Sequence, residues 1–104
     1  LGNPKNKQVL REIERGQLLR LLREFYPGGA TFRTLLHQMD DTGYSVLGSE
    51  LLFHLNYMEE EEAVDIDWEP KEVGRPERIR LVKITKRGID ILDGRKEGEL
   101  GIRV

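Results

Sequence analysis

Between Thr34 and Pro70 the chain carries ten carboxylates and neither lysine nor arginine. Carboxylates at this density could hold Mg²⁺ or Ca²⁺. Such sites, however, use alternating ligands on a loop turned by glycine, and the run Glu59 to Glu62 with Asp65 and Asp67 has no such loop. It reads instead as a solvated acidic face. His37 and His54 have no third ligand or nucleophile at a fitting spacing, so both read as structural histidines. Cysteine is absent, which removes disulfides and thiolate zinc sites. With no nucleophile elbow, phosphate loop or paired acid and base, the chain reads as a non-enzyme with no catalytic residue, bound metal or cofactor.

What remains is the chemistry of charge. The net charge of −2 divides into +4 over residues 1–33, −10 over 34–70 and +4 over 71–104. A phosphate backbone would be drawn to the two ends and repelled by the middle. Any nucleic-acid site must therefore be built mainly from the flanks.

The elements that position these charges fit one domain of 104 residues with 38% hydrophobic content. No apolar run approaches the roughly 20 residues that span a bilayer, so a soluble, cytoplasmic protein without a membrane partner is expected. Residues 1–8 are set aside as disordered or tag-derived, 9–94 form the domain, and 95–104 are a tail. Lys7 to Tyr26 is predicted to be one helix, continuous through Gly16, with a core stripe of Leu18, Leu21, Leu22 and Phe25. Pro27-Gly28-Gly29 stops it.

Thr31 to Glu62 organises the chain as two short helices around a turn at Asp41-Thr42-Gly43-Tyr44. Thr31 caps the first, whose apolar side holds Phe32, Leu35, Leu36 and Met39, and Gly43 supplies a left-handed residue at its end. The second is expected to start at the cap Ser45, with Leu47, Leu51, Leu55 and Met58 facing the core. Its outer side would show Val46, Ser49, Phe53, Asn56 and Glu60, edged by Glu50 and Tyr57. The four glutamates at its end oppose the helix dipole and weaken the last turn.

Val64 to Glu69 alternates apolar and acidic residues, the pattern of a strand burying Val64, Ile66 and Trp68. A second strand, Arg78 to Ile84, changes phase near Leu81, where a bulge is expected. The connection Pro70 to Glu77 is long for a hairpin. Thr85 caps a last helix inside a staple of Ile84 and Ile89, and Gly94 closes it. Leu100, Ile102 and Val104 then alternate in a tail that is either frayed or laid against a partner surface. One core is expected to contain Leu21, Phe25, Leu35, Leu51, Leu55, Ile66, Leu81 and Leu92.

Three helices, a two-stranded hairpin with a basic loop and the run Ile84-Thr85-Lys86-Arg87-Gly88-Ile89-Asp90-Ile91-Leu92 together resemble a winged helix-turn-helix domain, an α+β fold that is mainly α. The run is similar to the Leu/Ile-Thr-x-x-Gly-x-x-x-Leu pattern where the second wing strand of such regulators meets the final helix. The resemblance covers about residues 9–94. The size and the close at Gly94-Arg95 also resemble small winged-helix proteins of prophages and Mu-like phages.

The resemblance implies a DNA-binding or transcription-associated protein. Bases would be met by Ser45, Ser49, Glu50 and Phe53, with Asn56 later on the same helix, and the duplex backbone by Lys71, Arg75, Arg78 and Arg80 of the wing. The alternative is a protein-interaction module using Phe53, Tyr57, Glu60 and Glu61. Spare apolar side chains at Val9, Leu10, Ile13, Leu19 and Tyr26 favour a homodimer in either case.

Overall fold

The computed structural model describes residues 4–94 and 101–104. The elements run α1 (Pro4–Phe25), α2 (Phe32–Asp41), α3 (Gly48–Glu60), β1 (Val64–Trp68), β2 (Ile79–Ile84) and α4 (Lys86–Leu92). Helix α1 starts inside the stretch that was set aside as 1–8. Proline suits a first helical position, where its missing N–H would have no partner.

Helix α1 passes unbroken through Gly16, and the glycine is required there by a close neighbour. A Cβ there would overlap the carbonyl of Arg103. The Arg103 N–H donates to the Glu12 carbonyl at 2.9 Å, and Ile102 is buried in the core. Residues 101–104 are thus laid along the chain's own first helix, and the core does not stop at 94. Residues 95–100 lie outside the described ones. Leu19, counted among the spare apolar side chains, is fully buried beside Leu18, Leu21 and Leu22.

Thr31 caps α2, its hydroxyl accepting from the Thr34 N–H at 3.1 Å, and Gly43 takes φ +87° after the helix. The cap of helix α3 lies two residues later than Ser45 predicts. The Ser45 hydroxyl donates to the Asp40 carboxylate and stays in the turn. Leu47 takes the cap position, and its N–H donates to Glu50 Oε1 at 2.9 Å. With residues 46 and 47 outside the helix, their sides exchange. Val46 packs against the core, whereas Leu47, expected within it, is 69% exposed.

Helix α3 stops as the acidic run suggests. Glu61 is its cap, Glu62 adopts φ +62°, and the Ala63 N–H returns to the Met58 carbonyl at 2.8 Å. The end is tied to α4, since the Thr85 hydroxyl donates to the Glu62 carbonyl at 2.6 Å while accepting from the Gly88 N–H at 3.0 Å. Gly88 is required by closeness, because a Cβ there would overlap the Ala63 carbonyl.

Strands β1 and β2 pair antiparallel, with Val64 opposite Ile84, Ile66 opposite Val82 and Trp68 opposite Ile79. The register slips between Asp67 and Trp68, leaving Arg80 as the extra residue of a bulge. That extra residue brings Ile79 onto the face of Val82 and Ile84. It leaves Leu81 on the other side, outside the core it was expected to join. Leu21, Leu35, Leu51 and Leu55 are buried as expected, with Phe25, Ile66 and Leu92 packed against them in part. Ala30 bonds Val82 in both directions at 2.8 and 2.9 Å, which anchors the start of α2 to β2.

Candidate nucleic-acid interface

Helix α3 buries Leu51, His54, Leu55 and Met58, and its exposed side carries Ser49, Glu50, Leu52, Phe53, Asn56 and Glu60. Of the residues assigned to base reading, Ser49, Phe53 and Asn56 share this surface. Ser45 belongs to the preceding turn, and one oxygen of Glu50 is engaged in capping. Leu52 was overlooked because it follows Leu51 in a run of apolar residues whose phase alone did not separate inside from outside. It is 38% exposed and Phe53 is 51% exposed.

Two hollows flank the helix. On the wing side, a space of about 560 Å³ lies among Phe32 and Arg33 of α2, Leu52, Trp68 and the Arg78-Ile79-Arg80 stretch, with Glu69 and Glu77 also on its wall. On the α1 side, a smaller one of about 210 Å³ is bounded by Arg11, Ser49, Glu50, Phe53 and His54. The Arg11 guanidinium lies 5.4 Å from the centre of the Phe53 ring. A helix without a single cation is thereby bordered by Arg11 on one flank and by Arg33, Arg78 and Arg80 on the other.

Lys71 and Arg75 are exposed in the wing loop and border neither of these hollows. Arg75 pairs with Glu72 at 3.5 Å and Arg80 with Asp67 at 3.9 Å. Both pairs are solvent-exposed and weak enough to give way to a phosphate. Arg11 and Arg33 were missed as neighbours of α3. Arg11 lies seven and eleven residues before Leu18 and Leu22, on the face of α1 that meets the core, and this spacing was the available signal.

Beneath Phe53, His54 is 1% exposed. Its Nε2 lies 2.9 Å from Glu14 Oε1, and its Nδ1 accepts from Arg15 Nε at 3.2 Å. Burial pushes the His54 pKa below its ordinary value of 6.5; the bond to Glu14 opposes this and the charge of Arg15 adds to it. Arg15 also donates to the Gly101 carbonyl at 2.9 Å and covers the Tyr57 ring at 3.8 Å. Tyr57 is thus roofed by α1 and does not form an open patch with Phe53. Glu60 is exposed and Glu61 half-buried at the far end of α3.

No protein-family model matches the chain, and no curated protein matches it in sequence. In structure it is similar to a PadR family transcriptional regulator from Eggerthella lenta DSM 2243, with a TM-score of 0.57 and 18% identity over 78% of this chain and 70% of that one. It is also similar to a PadR family transcription regulator from Clostridium difficile R20291, with a TM-score of 0.55 and 12% identity over 75% and 80% of the two chains. A third similar structure is the circadian clock associated protein Pex from anabaena, with a TM-score of 0.53 and 15% identity over 79% and 72%. The fold is that of a winged helix-turn-helix domain, mainly α with a two-stranded wing. The resemblance to phage proteins finds no support in these comparisons.

Proposed function

We propose that the chain is a DNA-binding, transcription-associated protein that sets the first three turns of α3 into the major groove. The observation that carries this reading is the exposed, cation-free side of α3 with arginines on both flanks. A helix placed in a groove meets base edges along its axis and phosphates along the two walls, and those are the positions where Arg11 lies on one side and Arg33, Arg78 and Arg80 on the other. Lys71 and Arg75 add charge farther out on the wing. The structural neighbours described as transcription regulators support the reading. Such a protein would work in the cytoplasm and as a homodimer on a two-fold site.

The acidic end of α3, Glu60 and Glu61, favours a second reading as a protein-interaction module. The roofing of Tyr57 by Arg15 counts against an aromatic patch there.

Titration of a fluorescent duplex over a range of salt separates the two readings. For DNA binding, log K falls with log salt by about 0.9 per neutralised phosphate. Replacing Arg33 and Arg78 by Ala is expected to lower both affinity and slope, and changing Glu60, Glu61 and Glu62 to Gln to leave binding equal or tighter. No binding at ~50 mM salt, where the electrostatic contribution is large, would sink the DNA reading in favour of the module.

A further inference from the structure

We propose that α3 prefers A·T pairs, reading thymine methyl groups with Leu52 and Phe53 and adenine with Asn56; this rests on the duplex-DNA reading above. The side chains that α3 exposes leave little else. Guanine is read chiefly by Arg or Lys, and no such residue occurs between Thr34 and Pro70. The cytosine amine calls for a carboxylate aimed at the base, whereas Glu50 is turned back toward the start of the helix, with one oxygen on the Leu47 N–H at 2.9 Å. Leu52 and Phe53 expose apolar surface at adjacent positions, and thymine alone among the bases presents a methyl in the major groove. Asn56, one turn beyond Leu52 and exposed, has the amide that pairs with adenine N6 and N7.

Position agrees with chemistry. Leu52 borders the hollow lined by Arg33, Arg78 and Arg80 together with Glu69 and Glu77, three cations against two carboxylates, while Phe53 sits beneath Arg11 on the opposite flank. Each apolar contact therefore lies inboard of a cation, methyls toward the base edges and phosphates toward the walls. Glu60, one turn past Asn56, repels the backbone and limits the reading to the first turns of the helix.

The test uses the full chain and four duplex polymers: alternating dA-dT, alternating dA-dU, alternating dG-dC and alternating dI-dC. Uracil removes only the methyl. The inosine duplex looks like A·T in the minor groove but like G·C in the major. The expected order is dA-dT tightest, dA-dU weaker by about fourfold for each methyl in contact, and dI-dC as weak as dG-dC. Phe53→Ala and Leu52→Ala are each expected to narrow the dA-dT to dA-dU gap with the salt slope unchanged, while circular dichroism confirms the fold. Equal binding to all four duplexes overturns the base preference and leaves the DNA reading standing. Equal binding to dA-dT, dA-dU and dI-dC, with dG-dC weaker, overturns it also, because the discrimination would then lie in the minor groove. Failure to bind any of the four at low salt removes the DNA reading itself.

Discussion

The imidazole of His54 on α3 lies 2.9 Å from the carboxylate of Glu14 on α1, both side chains being almost wholly buried. Because Arg15 Nε donates to His54 Nδ1, the ring proton is assigned to Nε2, which donates to Glu14. The same Arg15 holds the Gly101 carbonyl at 2.9 Å. One small polar network therefore joins α1, the helix that carries the candidate reading surface, and the end of the chain. Leaving any member unpaired inside the core would cost more than the network gains, so its parts should respond together.

Protonation of His54 tests that network. Its pKa in the folded protein lies below 6.5, burial being the main cause, so between the two values the unfolded chain binds more protons than the folded one. Stability then rises with pH across that window: it is complete above 6.5 and is lost progressively as pH falls from 6.5 to the folded value. Urea denaturation at pH 7.5, 6.5 and 5.5 should show this loss. His54→Gln can still donate to Glu14 and accept from Arg15, and it should flatten the profile. A profile unchanged by the substitution would remove His54 from the proton linkage.

Gly16→Ala should reveal what holds the chain end in place. On helix propensity alone it gains ~1 kcal/mol. Here the added methyl meets the Arg103 carbonyl and displaces the segment that buries Ile102. A net loss of about 1–3 kcal/mol is expected in the full chain. In a chain ending at residue 100 the same substitution should stabilise. If the sign is the same in both backgrounds, the contact with residues 101–104 does not constrain Gly16.

Leu55→Ala removes a fully buried side chain at the centre of the core. The expected cost is on the order of 2–5 kcal/mol. Leu81→Ala, on the far side of the bulge, should cost much less. Denaturant midpoints for the two variants decide the phase of α3 and of β2 at once, and comparable losses would contradict the register.

Assembly can be read by sedimentation equilibrium. Leu10 on α1 is 50% exposed, and Tyr26, just beyond that helix, is 53% exposed. A homodimer that covers Leu10 should dissociate on Leu10→Glu. A single species of 12.1 kDa at high micromolar concentration would exclude the dimer.

Most of the secondary structure was legible in the sequence because its causes are local. The caps Thr31 and Thr85, the stop after Phe25, the alternation of Val64, Ile66 and Trp68, and the phase change near Leu81 each depend on neighbours a few residues away. The exception at the start of α3 shows how close such local choices can be. Ser45 and Leu47 compete for the cap, and the outcome turned on Asp40 taking the serine hydroxyl while Glu50 reached back to Leu47.

Only the tertiary structure decided which charges stand beside α3. Arg11 and Arg33 come to its two flanks from α1 and α2, and Arg78 and Arg80 from the wing, although the helix itself has no cation. His54 likewise could be read as structural from its place on the core stripe, but its partners Glu14 and Arg15 are 40 and 39 residues away. The last residues, a tail by sequence, became part of the core because Gly16 lets the backbone of α1 and that of Arg103 come together. Periodicity and capping record each segment's own preference. Which segments meet depends on closing long loops around a shared core, and no local pattern carries that information.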